Sequence, residues 1–279
     1  MLKPTTEKTF AERFDLNRTG VTGQITKIWS RRDGNVYAGL DLEPGKERGL
    51  QATLLLVNGE VNGEMVSLMT GDQVSVSGWV QDVPYEETLQ DFLVRAKKPD
   101  LLREAKLEEL KGITIQRAMT CVVPEDLLID HSKEIEAAND VRLEGMVARI
   151  WAYSDHVFVR LAIYDSHTEI LEAKKKPVRQ AHYVTVQFTG SQVGGRPVKI
   201  LSSKNGHVAG GLRKGARLRV AGKFLHRWYR ESMKEFLERS KRLDVMQLIP
   251  DSDRIAAGTK ANYLQSVIEA DQMIQFTKK

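Results

Sequence analysis

The sequence predicts a mainly β protein: two OB-like five-stranded barrels in tandem, with a helical connector between them and a C-terminal helix. Three observations carry this. Stretches of the first half recur in the second half in the same order, those stretches alternate apolar and polar residues, and glycines interrupt them where a small barrel has to bend.

The recurrence comes first, because a missed repeat misplaces the whole fold. VTGQITKIWS at 21–30 aligns with LEGMVARIWA at 143–152, sharing a glycine, an aliphatic two places on, a basic residue and Ile-Trp. NVYAGL at 35–40 aligns with HVFVRL at 156–161, and GDQVSVSG at 71–78 with GARLRVAG at 215–222. Three matches in one order indicate a duplicated unit. Val74 and Val76, like Leu218 and Val220, alternate with polar neighbours, the period-2 pattern of a half-buried strand. Residues 53–57 (TLLLV) and 182–188 (HYVTVQF) supply a further strand to each copy. Gly23 and Gly145 suit bulges. Five short strands per copy fit an OB-type barrel, whereas an immunoglobulin-like sandwich needs about seven.

Taken in order, residues 1–98 form the first OB-like domain and residues 99–139 a helical connector. Residues 140–250 form the second OB-like domain, and residues 251–279 a tail with a short helix. In the connector, Leu101, Leu102, Ala105, Leu107 and Leu110 are helically spaced, with Glu–Lys pairing, and Gly112 is a stop. Residues 113–123 read as an extra strand. Residues 124–138 (PEDLLIDHSKEIEAA) read as a second short helix, with Pro124 near its first turn. In the tail, Leu264, Val267, Ile268 and Ile274 have roughly helical spacing, a helix that packs back on the protein or binds a second subunit.

Charge separates the two halves. Residues 1–139 hold 17 Lys+Arg against 23 Asp+Glu, a balance of −6. Residues 140–279 hold 25 against 14, a balance of +11, within a total of +5. Neutralising phosphates supplies most non-specific nucleic-acid affinity, so the second half is where a nucleic acid would bind. No apolar run approaches the roughly 20 residues that span a bilayer, and MLKPTTEKTF lacks the apolar region of a secretory signal. The single cysteine, Cys121, points to a reducing, cytoplasmic setting. It leaves no zinc-ligand spacing, so neither metal nor cofactor is expected.

From 182 to 231 the second copy resembles the bacterial and phage single-stranded DNA-binding protein family. HYVTVQF at 182–188 and LRKGARLRVAGKFLHRWYRE at 212–231 carry the resemblance. It implies base stacking by Phe188, by His182 or Tyr183, and by Tyr229 with Trp228 beside it, and a phosphate contact by Arg227. The family has a short acidic tip, whereas this chain reads Phe276-Thr-Lys-Lys279. The family also has one barrel per chain and assembles as tetramers. These departures fit a specialised binder carried by a mobile element such as a phage or conjugative element, and the resemblance implies homo-oligomers.

Sequence-tolerant single-strand binding needs a positive groove and exposed aromatic faces. Arg213, Lys214, Arg217, Arg219, Lys223, Arg227 and Arg230 surround Trp228 and Tyr229. If Leu218 and Val220 point inward, Arg217 and Arg219 share the outward face. Lys174, Lys175, Lys176 and Arg179 form a second basic stretch ahead of His182. Plainer readings stand beside these: Phe188 fits the core equally well, Trp29 and Trp151 fit barrel packing, and the lysine run fits a solvated loop. The corresponding hairpin of the first copy, residues 78–87 (GWVQDVPYEE), is acidic. That domain reads as an oligomerisation or partner-binding module, or an auxiliary DNA contact.

No P-loop, GxSxG or HExxH occurs, and Asp130-His131 has no nucleophile partner, so no enzyme activity is expected. The leading expectation is a non-enzymatic protein that coats single-stranded DNA during replication, recombination or DNA transfer. A protein-interaction subunit of a replication or conjugation complex, and an RNA-binding OB protein, are the alternatives.

Overall fold

The computed structural model describes residues 15–46, 50–95, 112–130, 137–153, 156–168, 170–173, 176–189, 192–193, 196–197, 213–239, 242, 244–245 and 260–276. The chain divides into two compact units. Unit I comprises Met1–Arg18, Val141–Gly222 and Ala270–Lys279; unit II comprises Thr19–Asp140 and Lys223–Glu269.

Unit II contains β1 (Asn17–Ser30, from Thr19), β2 (Val36–Asp41), β3 (Gln51–Leu56), β6 (Gln73–Thr88) and β7 (Thr114–Asp130), with the small hairpin β4 (Glu60–Val61) and β5 (Glu64–Met65). Strand order β1-β2-β3-β7-β6, with β6 pairing back to β1, closes a ring of five. Every pairing around it is antiparallel except β3–β7, which is parallel through Leu54 and Val122. The inward face is apolar, with Val21, Leu40, Leu54, Val74, Val80 and Val122 all fully buried.

In unit I the corresponding strands are β8 (Asn139–Tyr153, from Val141), β9 (His156–Ile163), β12 (His182–Thr189), β15 (Arg217–Ser232, as far as Gly222) and β16 (Lys260–Phe276, from Ala270). Their order is β8-β9-β12-β16-β15, with β15 pairing back to β8. The remaining short strands are β10 (Ile170–Ala173), β11 (Lys176–Arg179), β13 (Gln192–Val193) and β14 (Arg196–Pro197). Leu143, Val159, Leu161, Val184, Val186 and Leu218 fill the inward face.

Two backbone bonds recur at matching positions of the aligned stretches. Gly71 N–H donates to the Ile25 carbonyl and Ile25 N–H to the Asp72 carbonyl, each at 2.8 Å. Gly215 and Val147, then Val147 and Ala216, make the same two bonds at 2.8 Å. Both turn glycines need positive φ, 100° at Gly71 and 82° at Gly215, which glycine adopts without a steric penalty. The ladder slips between Ile25 and Lys27 in one copy and between Val147 and Arg149 in the other.

The bulge therefore falls just after Gly23 and Gly145 rather than on them. These glycines instead admit a crossing strand. A Cβ on Gly23 would lie 2.3 Å from the Asp41 carbonyl oxygen, and one on Gly145 would lie 2.8 Å from that of Ala162. Because the obstacle is backbone, Gly23→Ala is expected to destabilise unit II by about 1–3 kcal/mol, as overpacking does. Urea denaturation of the variant measures it, and an unchanged midpoint would show that the strands separate freely.

Two expected helices are strands where described. The strand foreseen over 113–123 is present, but it runs on to Asp130 as β7, and residues 124–130 pair with β6 instead of coiling. Pro124 does not begin a helix there. It sits opposite Gly78 where the β6–β7 register shifts, a place where the missing proline N–H is tolerated. The other connector helix, residues 99–111, lies outside the described residues.

In the tail, the helix over 262–276 is replaced by β16, whose place between β15 and β12 supplies the backbone partners. Among the described residues the helices are α1 (Leu89–Arg95) after β6 and α2 (Met233–Arg239) after β15. Each is capped. Asp91 N–H donates to Thr88 Oγ1 at 3.0 Å, while Ser232 and Glu235 cap one another reciprocally in a capping box. In unit II, Phe92 of α1 and Phe236 of α2, each the fourth residue of its helix, stack at 4.0 Å with planes 1° apart. Among the described residues no helix is long and apolar enough to cross a membrane.

Candidate nucleic-acid interface

Alternation along β9 and β12 decides which side chains can meet a ligand. Phe188 pairs with Val157, Val186 with Val159 and Val184 with Leu161, all on the inward face. Phe188 is accordingly 2% exposed and belongs to the core. It offers no ring face to a base, which corrects the stacking role expected of it. The opposite face carries Tyr183, Thr185 and Gln187 on β12 against Ala162, Arg160 and Phe158 on β9. Tyr183 is 41% exposed, and the Arg160 guanidinium lies 4.7 Å from its ring centre. Farther along, Trp151 of β8 stacks on Phe158 at 5.5 Å, with Arg149 5.3 Å from the Trp151 ring.

The expected residues of β15 divide by environment. Leu218 and Val220 point inward, and Arg217 and Arg219 do share the outward face. Both arginines, however, hold carboxylates. Arg217 Nε donates to Glu144 at 2.8 Å and its Nη2 to Asp15, and Arg219 Nη2 donates to Glu144 at 2.6 Å. This ties residues 15–17 to unit I, where Glu144 N–H donates to the Leu16 carbonyl and Asn17 to Asp165 at 2.7 Å. His182 belongs to the same polar set, 3.4 Å from Asp165. In unit II, Arg227 pairs with Glu269 and Tyr229 is buried at 8%.

Arg213 and Lys214 stand exposed on the turn before β15, and Lys223 is half-buried. The backbones of Lys176 and Arg179 lie in β11, and those of Trp228 and Arg230 in β15. These four side chains, and the whole of Lys174 and Lys175, lie outside the described residues.

Burial pushes the Glu144 carboxyl up, but hydrogen bonds from Arg217 and Arg219 more than offset it and hold the group below its usual value. Its ion pairing thus stabilises the fold above the unfolded-state pKa, and that contribution disappears as pH falls through the depressed folded value. Asp15 behaves oppositely, since burial raises it more than Tyr164 and Arg217 lower it. Urea midpoints of the wild type are expected to drop on acidification through the carboxylate range, with a shallower drop in Glu144→Gln. Parallel curves would mean that the pair contributes nothing.

Arg149 and Arg160 were not among the expected contacts. The signal was in the repeat: Arg160 stands where the first copy has Gly39, inside an otherwise matching strand. Unit II keeps the platform itself, with Trp29 stacked on Tyr37 at 5.7 Å and Lys27 4.7 Å from the Trp29 ring. Trp29 and Trp79 pack there around buried Tyr37, Leu55, Cys121 and Val123. That face is partly closed. Arg31 lies between Tyr37 and Tyr85, and His226 of β15 feels both Lys27 and Asp41, with burial the main force lowering its pKa.

A mainly β chain, with two five-strand sets in one order and an aromatic, cationic outer face, is the class these observations define. No protein-family model and no curated protein sequence matches the chain. Among solved structures it is similar to the single-stranded DNA binding protein of Thermus aquaticus. A deletion mutant aligns at TM-score 0.45 and 15% identity, over 95% of this chain and 97% of that one. The wild type aligns at 0.41 and 15%, over 96% of each chain.

Proposed function

We propose that this chain is a tandem OB-type protein that binds single-stranded DNA without catalysis, through the outer face of β9 and β12. The observation that carries it is the solvent-facing Tyr183 backed by Arg160, continued by Trp151 and Arg149. Exposed rings beside cations are what sequence-tolerant strand binding requires. The basic balance of the second half agrees with a polyanionic ligand. Coating of DNA during replication, recombination or transfer is the role such binding would serve. Assembly into homo-oligomers and residence in the cytoplasm belong to the same reading.

Tryptophan fluorescence titrated with oligo(dT) tests it. Quenching that weakens steeply with salt is the expected result; no quenching at low salt would end the proposal. An equal-length RNA oligonucleotide, if it competes equally, would shift the reading towards RNA.

A further inference from the structure

Several described cations of unit I, among them Arg149, Arg160, Arg213 and Lys214, have no carboxylate partner among the described residues. Arg149, Arg213 and Lys214 are exposed, so water solvates their charge. Arg160 differs. It is half-buried, and its Nε is shielded from solvent with no acceptor. One face of its guanidinium is set against Tyr183. A partly desolvated cation without an acceptor is held unfavourably, and an anion beside it removes that penalty.

We infer that Arg160 is the phosphate anchor of the strand-binding face, which rests on the single-strand reading above. A backbone phosphate sits against the outer nitrogens of Arg160 while a neighbouring base stacks on Tyr183. The arginines of β15 contribute less, because a phosphate there has to displace Glu144 from Arg217 and Arg219, or Glu269 from Arg227.

The duplicated unit serves as an internal control. In unit II, Tyr37 pairs with Leu55, Gly39 with Thr53 and Asp41 with Gln51. In unit I, Phe158 pairs with Gln187, Arg160 with Thr185 and Ala162 with Tyr183. Ring and threonine recur, but the anchor and its stacking partner have become Gly39 and Gln51. An acidic Asp41 also stands beside them and the Lys27 side chain covers Gly39, so the Arg160–Tyr183 pair has no counterpart at that register in unit II.

The experiment compares Arg160→Gln, Arg160→Lys and Arg219→Gln in oligo(dT) titrations over a range of salt. Arg160→Gln is expected to weaken binding about tenfold and to flatten the log–log salt slope by about 0.7, the value of one single-strand phosphate contact. Arg160→Lys should restore the slope, and Arg219→Gln should leave it close to wild type. The slope does not depend on the fraction of active protein, so a partly unfolded variant still answers. An unchanged slope in Arg160→Gln, or an equal flattening in Arg219→Gln, overturns the anchor while single-strand binding stands. A wild type that does not bind oligo(dT) overturns both.

Discussion

Truncating Phe188 to alanine should loosen the fold of unit I and leave the ligand face itself intact. The ring is 2% exposed and shares the inward face with Val157, Val159, Val184 and Val186. Deleting such a ring removes its transfer free energy and leaves a cavity that closely paired strands cannot collapse to fill. Phe→Ala changes of this kind cost about 3–5 kcal/mol. A large drop in the urea midpoint is therefore expected, together with near-normal oligo(dT) affinity for the folded fraction at low temperature. A stable variant that had lost affinity would return Phe188 to the binding surface and reverse the strand's orientation. Tyr229, buried at 8% in unit II, should behave the same way, so loss of binding in a Trp228, Tyr229 double variant would not by itself implicate stacking.

Tyr183→Ala should do the reverse. Its ring is exposed, so its removal leaves little cavity and the fold should be nearly unchanged. A stacked base is worth about 1–3 kcal/mol, or about 5- to 150-fold in affinity. The Arg160 guanidinium also loses the ring that orients it, which couples the two positions. A double-mutant cycle with Arg160→Gln should therefore show non-additive losses. Full affinity in Tyr183→Ala would move the interface off this face.

Much of this was legible in the chain. The repeated glycine, aliphatic and Ile-Trp positions mark the same bulge and the same turn in both copies, because those local geometries depend on residues close in sequence. The inward set of Leu218 and Val220 followed from alternation alone. What could not be read was set by partners distant in sequence. Leu264, Val267, Ile268 and Ile274 satisfy helical spacing, yet the segment between β15 and β12 has backbone partners on both sides and becomes a strand. Pro124 suits a helix start and a bulge equally, and only Gly78 across the ladder decides between them. The site failed similarly. Arg217, Arg219 and Arg227 form a basic run in the sequence, but Glu144, Asp15 and Glu269 come to them from far along the chain. Phe188 and Tyr183 lie five residues apart on one strand, and odd parity puts them on opposite faces.

The stack of Phe92 on Phe236 joins residues at the same position of two related helices. Contacts between equivalent residues are how two identical chains meet across a two-fold axis, and such a pair separates when diluted. Here both helices belong to unit II of one polymer, so the tether fixes their effective concentration whatever the amount of protein in solution. The Phe92–Phe236 contact should thus survive dilution that would dissolve an equivalent two-chain contact.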